Sequence, residues 1–147
     1  NQRINNITIN DSNNVYRLVH AEGDHMPGCI IDIYNDVAVI QFHSIGMWLL
    51  RKVFSKIIEE TIPKIDIIYD KSEGTLPKQH KEIHQVQNDY LLKKASKEST
   101  IVHENGNAFV IDWVQGQKTG FFIDQRDNRK LLGEFSKGKK FLEGINE

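Results

Sequence analysis

The sequence predicts an α+β fold: an antiparallel sheet with one main covering helix, followed by a β-hairpin and a C-terminal basic helix. Three patterns point there. Short runs rich in β-branched residues recur between turn residues at 29–34, 37–42 and 65–70, and read as strands. Residues 45–61 place Leu50, Val53, Phe54, Ile57 and Ile58 on a 3.6-residue period, as a helix lying on a sheet does. Asn105-Gly106 separates two further β-prone runs, 99–104 and 107–113, and is the strongest short-range hairpin signal in the chain.

The elements follow in order. Residues 1–13 are polar and rich in Asn, with Ile4, Ile7 and Ile9 among them, and read as a linker. Residues 16–20 form a first strand, and Gly23-Asp24 with Pro27-Gly28 marks a turn over 21–28. The strand at 29–34 turns at Asn35-Asp36 into the strand at 37–42, whose almost unbroken apolar run predicts burial on both faces. These three strands are expected as an antiparallel meander. Ser44 is placed as the N-cap of the helix, Arg51, Lys52, Ser55, Lys56, Glu59 and Glu60 fall mostly off its apolar stripe, and Pro63 stops it. Residues 65–70 form a fourth strand. The polar stretch that follows contains Gly74 and Pro77 and has no clear period, which predicts a mobile connection over about 72–87. After the hairpin, Asp124 is placed as the N-cap of the last helix, with Asp127 as a capping-box partner, and Leu131, Leu132 and Phe135 as its packed face. Residues 139–142 turn extended again.

At 147 residues and 39% hydrophobic content, the chain can bury a core as one domain, or one domain with an appendage. No apolar run approaches the roughly 20 residues that span a bilayer, so no membrane partner is expected. A single cysteine cannot make an internal disulfide, which fits a reducing, cytoplasmic setting. The net charge of −1 argues against a dedicated nucleic-acid binder. The distribution is uneven, however: residues 115–142 carry seven Lys or Arg against three Asp or Glu. That basic end suits either RNA phosphates or a solvated helix face.

Chemistry concentrates in Gln115-Gly116-Gln117-Lys118-Thr119-Gly120-Phe121-Phe122-Ile123-Asp124-Gln125-Arg126-Asp127-Asn128-Arg129. Two glycines bracket a lysine and a hydroxyl, and two aromatics precede two arginines. A charged, partly flat ligand needs that combination. Elsewhere the bland readings prevail. Cys29, beside no evident base, reads as a small buried hydrophobe. His80 and His84 have helical metal spacing but no third ligand, and read as solvated. Trp48 and Trp113 read as core or interface anchors. Tyr16, Arg17, His20 and Glu22 suit a polar network on the sheet, with a surface facing RNA as the alternative.

Residues 116–129, GQKTGFFIDQRDNR, resemble the signature that precedes the catalytic domain in a family of S-adenosylmethionine-dependent methyltransferases acting on cytosine C5 of large-subunit ribosomal RNA. A second block, Asn14-Val15-Tyr16-Arg17-Leu18-Val19-His20-Ala21-Glu22-Gly23-Asp24 through Pro27-Gly28, resembles the opening of the same family's central domain. The resemblance spans residues 14–142. It implies a division into a linker remnant (1–13), a central α+β domain (14–98), a hairpin, signature loop and helix leading into a methyltransferase domain (99–142), and a tail (143–147). It also implies that the PUA domain and the doubly wound catalytic domain lie outside this chain. Residues 138–142 resemble the first strand of that catalytic domain, but the family's glycine-bearing cofactor loop is replaced by Glu143-Gly144-Ile145-Asn146-Glu147.

The resemblance therefore implies a central segment that helps position ribosomal RNA and completes a cofactor pocket, without catalytic residues or tight S-adenosylmethionine binding of its own. By analogy, Lys118, Thr119, Gly120, Phe121 and Arg126 are the candidate cofactor-binding residues. Arg17, Arg126, Arg129 and Lys130 are the candidate RNA contacts. A free-standing RNA-binding or domain-docking module is the alternative. An exposed hairpin and helix would also give the chain a route to self-association.

Overall fold

The computed structural model describes residues 9–137. The first eight residues of the expected linker (1–13), the extended stretch 139–142 and the tail lie outside the described residues. Strands β1 (Val15–His20), β2 (Cys29–Tyr34), β3 (Val37–Phe42), β4 (Ile67–Asp70) and β5 (Asp89–Lys93) form one sheet in that order. The first three make the expected antiparallel meander, with Tyr34 opposite Val37 and Cys29 opposite Phe42.

The sheet is mixed rather than antiparallel throughout, because β4 runs parallel to β3, Val37 beside Ile67. The helical segment between these strands is a crossover. It returns the chain to the end of the sheet where β3 began, so the next strand must run the same way. The sequence also hides β5, whose residues are at best half-buried at the sheet edge, where little alternation is required.

The one expected helix is two, α1 (Ile45–Leu49) and α2 (Arg51–Thr61), joined at Leu50, whose ψ of 1° interrupts the helix. Ser44 caps α1 as expected: its Oγ accepts from the Met47 amide at 3.4 Å. Trp48, Ser55 and Ile58 are buried and Phe54 packs beside them, whereas Leu50, Val53 and Ile57 are about half exposed. The buried edge therefore lies to one side of the expected stripe. The stretch expected to be a mobile connection contains a helix, α3 (Lys78–His84), with Leu76 and Val86 anchored in the core on either side. The helix itself buries nothing, so it leaves no period in the sequence.

Both faces of the sheet are covered. Cys29, Ile31, Ile33, Ala38, Ile40 and Phe42 pack under α1 and α2. Val15, Tyr34, Val37, Val39, Ile67 and Tyr69 face a hairpin, β6 (Ser99–Glu104) and β7 (Asn107–Asp112), which closes over them with Val102, Ile111 and Trp113. Its turn uses Asn105 at φ 51° and Gly106 at φ 79°, the two positive angles that an Asn-Gly hairpin turn requires. Trp48 and Trp113 are both buried anchors, and the Trp48 indole N–H donates to Asp70 Oδ2 at 2.9 Å. Cys29 is fully buried, and burial alone pushes its thiol up to about 12, which makes it an inert hydrophobe. Among the described residues no group of three His, Cys, Asp or Glu could hold a metal, and no helix is long and apolar enough to cross a membrane.

The loop after β7 turns at Gly116, whose amide donates to the Asp112 carbonyl at 3.1 Å. A Cβ there would overlap that carbonyl oxygen and lie 2.9 Å from Gly120 Cα. Both obstacles are backbone and cannot swing aside. Gly116→Ala is therefore expected to cost about 1–3 kcal/mol, the usual penalty of overpacking, and to lower the thermal midpoint by several degrees. An unchanged midpoint would mean that the loop follows another path.

The chain ends in helix α4 (Arg126–Ser136). Asp124 does not cap it. Asp124 sits inside a 3-10 turn, Ile123–Gln125, which moves the helix boundary to Gln125, and no side chain caps that position. Nor are Leu131, Leu132 and Phe135 packed: they are 49%, 60% and 71% exposed.

Candidate functional site

The hairpin covers only part of the second sheet face. It leaves open the end where Ile30 pairs with Gln41 and where Lys71 follows β4. The loop between β7 and α4 bends over this end. Lys118, Thr119 and Phe121 come to lie with Arg17, Ile30, Gln41 and Lys71 around a cleft of about 500 Å³, with His43, Asn88 and Asp124 also lining it.

A buried relay fixes the loop to the sheet. Asp32 is fully buried at the centre of β2. It accepts from Arg17 Nε at 2.8 Å on one oxygen and from Arg17 Nη2 at 3.0 Å on the other. The Thr119 hydroxyl donates to Asp32 Oδ2 at 2.6 Å. With its proton placed there, Thr119 Oγ1 accepts from the Tyr34 hydroxyl at 2.8 Å. The hydrogen bond to Asp32, together with its negative charge, raises the Arg17 guanidinium further above its ordinary value against the effect of burial. Burial, helped by the Asp32 charge, pushes the Tyr34 phenol up as well. Arg17 therefore stays charged and Tyr34 neutral at neutral pH.

Two lysines serve the open cleft. The Lys71 ammonium donates to the Gly116 carbonyl, and burial lowers its pKa, with Asp112 opposing. Lys118 is exposed at a left-handed φ of 52°, with its ammonium 4.6 Å from the centre of the Phe122 ring. Gly120, at φ 125°, serves the turn itself, because a Cβ there would meet the Asp112 carbonyl and Ile111.

The arginines of α4 do not line the cleft. Arg129 grips Glu104 with two bonds of 2.7 and 3.0 Å, and Arg126 Nε lies 3.2 Å from the same carboxylate. The Glu104 side chain is 1% exposed. Arg126 also donates to the Val15 carbonyl, and the Arg129 guanidinium lies 4.3 Å from the centre of the Phe121 ring. Lys130 lies apart, in a groove between the hairpin and α4.

The structure thus brings Arg17, Lys118, Thr119 and Phe121 together and takes up Arg126 and Arg129 in holding the helix. Of the polar network expected in the first block, Arg17 and His20 are joined at 3.2 Å, whereas Tyr16 belongs to the core. Sequence reasoning missed Gln41, Lys71, Asp32 and Glu104. The signal was available for two of them: Asp32 and Gln41 are polar residues inside almost continuous apolar strands. Lys71 and Glu104 look like ordinary residues at strand ends.

No family model matches the chain. A stretch of 127 residues, 86% of the chain, is 37% identical to the ribosomal RNA large subunit methyltransferase I of Shewanella amazonensis and covers 31% of it. The proteins of that name from Aliivibrio fischeri and Aeromonas salmonicida are 35% and 33% identical over the same length. The chain thus spans about 31% of the length of the curated relatives it matches, and is homologous to them over that share. Among solved structures, a candidate SAM-dependent methyltransferase from Streptococcus mutans superposes with a TM-score of 0.70 at 23% identity, covering 89% of this chain and 32% of that one. A candidate methyltransferase complexed with SAH gives the same score at 22% identity and equal coverage. At these identities the likeness is one of fold.

Proposed function

We propose that the chain is an RNA-positioning, non-catalytic segment of an S-adenosylmethionine-dependent ribosomal RNA methyltransferase. The homology supplies the class. The observation that carries the role is the cleft in which Lys118 and Phe121 are held over Arg17 and Lys71 by the Thr119–Asp32 bond.

S-adenosylmethionine, which supplies an activated methyl group when bound, fits this loop in part. The exposed ammonium of Lys118 suits a carboxylate, and Phe121 offers an apolar wall. The Thr119 hydroxyl is already engaged on both sides. The chain therefore contributes one wall of a cofactor site, with Gly120 shaping the turn and Arg126 positioning the loop through Glu104. RNA phosphates are assigned to Lys118, Lys130 and the open edge of Arg17, and Arg129 backs the loop.

Fluorescence anisotropy with a ribosomal RNA hairpin, run across salt concentrations, tests this reading. Affinity is expected to fall with salt, and a Lys118→Ala, Lys130→Ala variant to reduce the logarithmic slope by about 1 per lysine removed. Salt-independent or absent binding would sink it, and so would methyl transfer by this chain alone. The exposed Leu131, Leu132 and Phe135 favour a second reading, a docking module that binds neither ligand and self-associates through α4. Sedimentation at several concentrations distinguishes it.

A further inference from the structure

We infer that the floor of the cleft is a subsite for one nucleobase of RNA, read by Gln41, with Lys71 and Lys118 taking the adjoining phosphate. This rests on the RNA-positioning reading and assigns the part of the ligand that enters the cleft. Gln41 carries the argument. It is only 8% exposed, it lines the cleft, and its side-chain amide makes no hydrogen bond among the described residues. Its amide atoms reach the cleft instead of being sealed in the core, since the fully buried side-chain atoms without a partner among the described residues are Tyr90 Oη and Trp113 Nε1; an apolar residue of similar shape would suit an otherwise apolar strand better. An amide presents one donor and one acceptor side by side, which complements the edge of a base.

The surroundings fit the same ligand. Ile30 and Phe121 give apolar and aromatic walls of the kind that hold an unstacked base. Asn88 accepts from the Glu73 amide through Oδ1 at 3.0 Å, which leaves its NH2 group as a second donor at the rim. The volume of about 500 Å³ lies within the range of small-ligand sites. Charge decides between two sources of a base. Lys71 and Lys118 suit the negative charge of a phosphate better than S-adenosylmethionine, whose one carboxylate can meet Lys118 at the rim but comes with a sulfonium and an ammonium that two lysines at the floor would repel.

NMR titration of the chain with the four ribonucleoside 5′-monophosphates, inorganic phosphate and S-adenosylmethionine tests the assignment. At least one nucleotide is expected to bind more tightly than phosphate and to shift the Gln41 side-chain amide signals. Gln41→Leu is expected to weaken that nucleotide about tenfold, leave phosphate binding unchanged, and melt no lower than the parent chain. Lys118→Glu, on the exposed loop, is expected to weaken nucleotide and phosphate alike. Nucleotides that bind no better than phosphate, that leave Gln41 unshifted, or that bind Gln41→Leu equally well would overturn the assignment. So would S-adenosylmethionine displacing them at lower concentration. If the RNA hairpin still binds in any of those cases, the base subsite falls and the RNA-positioning reading stands; if the hairpin does not bind the parent chain either, both fall.

Discussion

Replacing Arg126 and Arg129 together with methionine is expected to destabilise the chain by about 3–5 kcal/mol, the cost of leaving a buried charge without its partner. The Glu104 side chain is 1% exposed and its ion-pair partners among the described residues are these two arginines. The loss is a large fraction of the roughly 5–15 kcal/mol that holds a domain together. The hairpin–helix unit should open first, because Glu104 ends β6 and both arginines lie in α4.

Two controls make the result diagnostic. In the double variant the Glu104 carboxylate is left buried without a counter-charge, a state that protonation relieves. Mild acid should therefore rescue the variant partly. Adding Glu104→Met removes the stranded charge and should recover most of the stability, since well-packed apolar groups commonly match a buried ion cluster. Denaturant midpoints of the three chains measure this. A double variant as stable as the parent would show that Glu104 reaches solvent and that the clamp is incidental.

The second large effect is expected at Asp32. Asp32→Ala removes the acceptor of Arg17 and Thr119 at a fully buried position. The cost is expected to be about 3 kcal/mol, moderated because the Arg17 side chain is 25% exposed and can turn to water. Asp32→Asn keeps one acceptor, for Thr119 and Arg17 Nη2, but loses the charge and turns an NH2 donor toward Arg17 Nε; it should still cost less than alanine. Thr119→Val should free the loop while sparing the Arg17–Asp32 pair. In NMR spectra, Asp32→Ala and Thr119→Val are both expected to shift Lys118 and Phe121, and only the first to shift Arg17. If Asp32→Ala were no more destabilising than Thr119→Val, the ion pair would contribute nothing.

Legibility in the sequence followed the strength of the local signal. The meander, the hairpin with its Asn-Gly turn, the cap at Ser44 and the buried roles of Cys29, Trp48 and Trp113 were readable, because alternation, turn chemistry and capping are local. The parallel pairing of β4 was not, since it depends on the helix acting as a crossover between non-adjacent stretches of chain. Strand β5 and helix α3 escaped because their burial is slight, and periodicity records burial rather than structure. At the site, the loop residues Lys118, Thr119 and Phe121 announced themselves by composition. Lys71 did not, and Gln41 did so only as a polar residue within an apolar strand, since only folding places strands from distant parts of the chain beneath the loop. Arg126 and Arg129 looked free in the sequence because the carboxylate that occupies them lies more than twenty residues earlier.

Helix α4 has no buried residue, and its tie to the body runs through Glu104 and two partly open guanidinium groups. The sheet is secured by apolar area on both faces. The two are therefore expected to open as different cooperative units, one answering to changes in the ion cluster and the other to whatever weakens apolar burial. One short chain thus combines a rigid platform with a terminal helix whose local unfolding can be tuned without melting the platform.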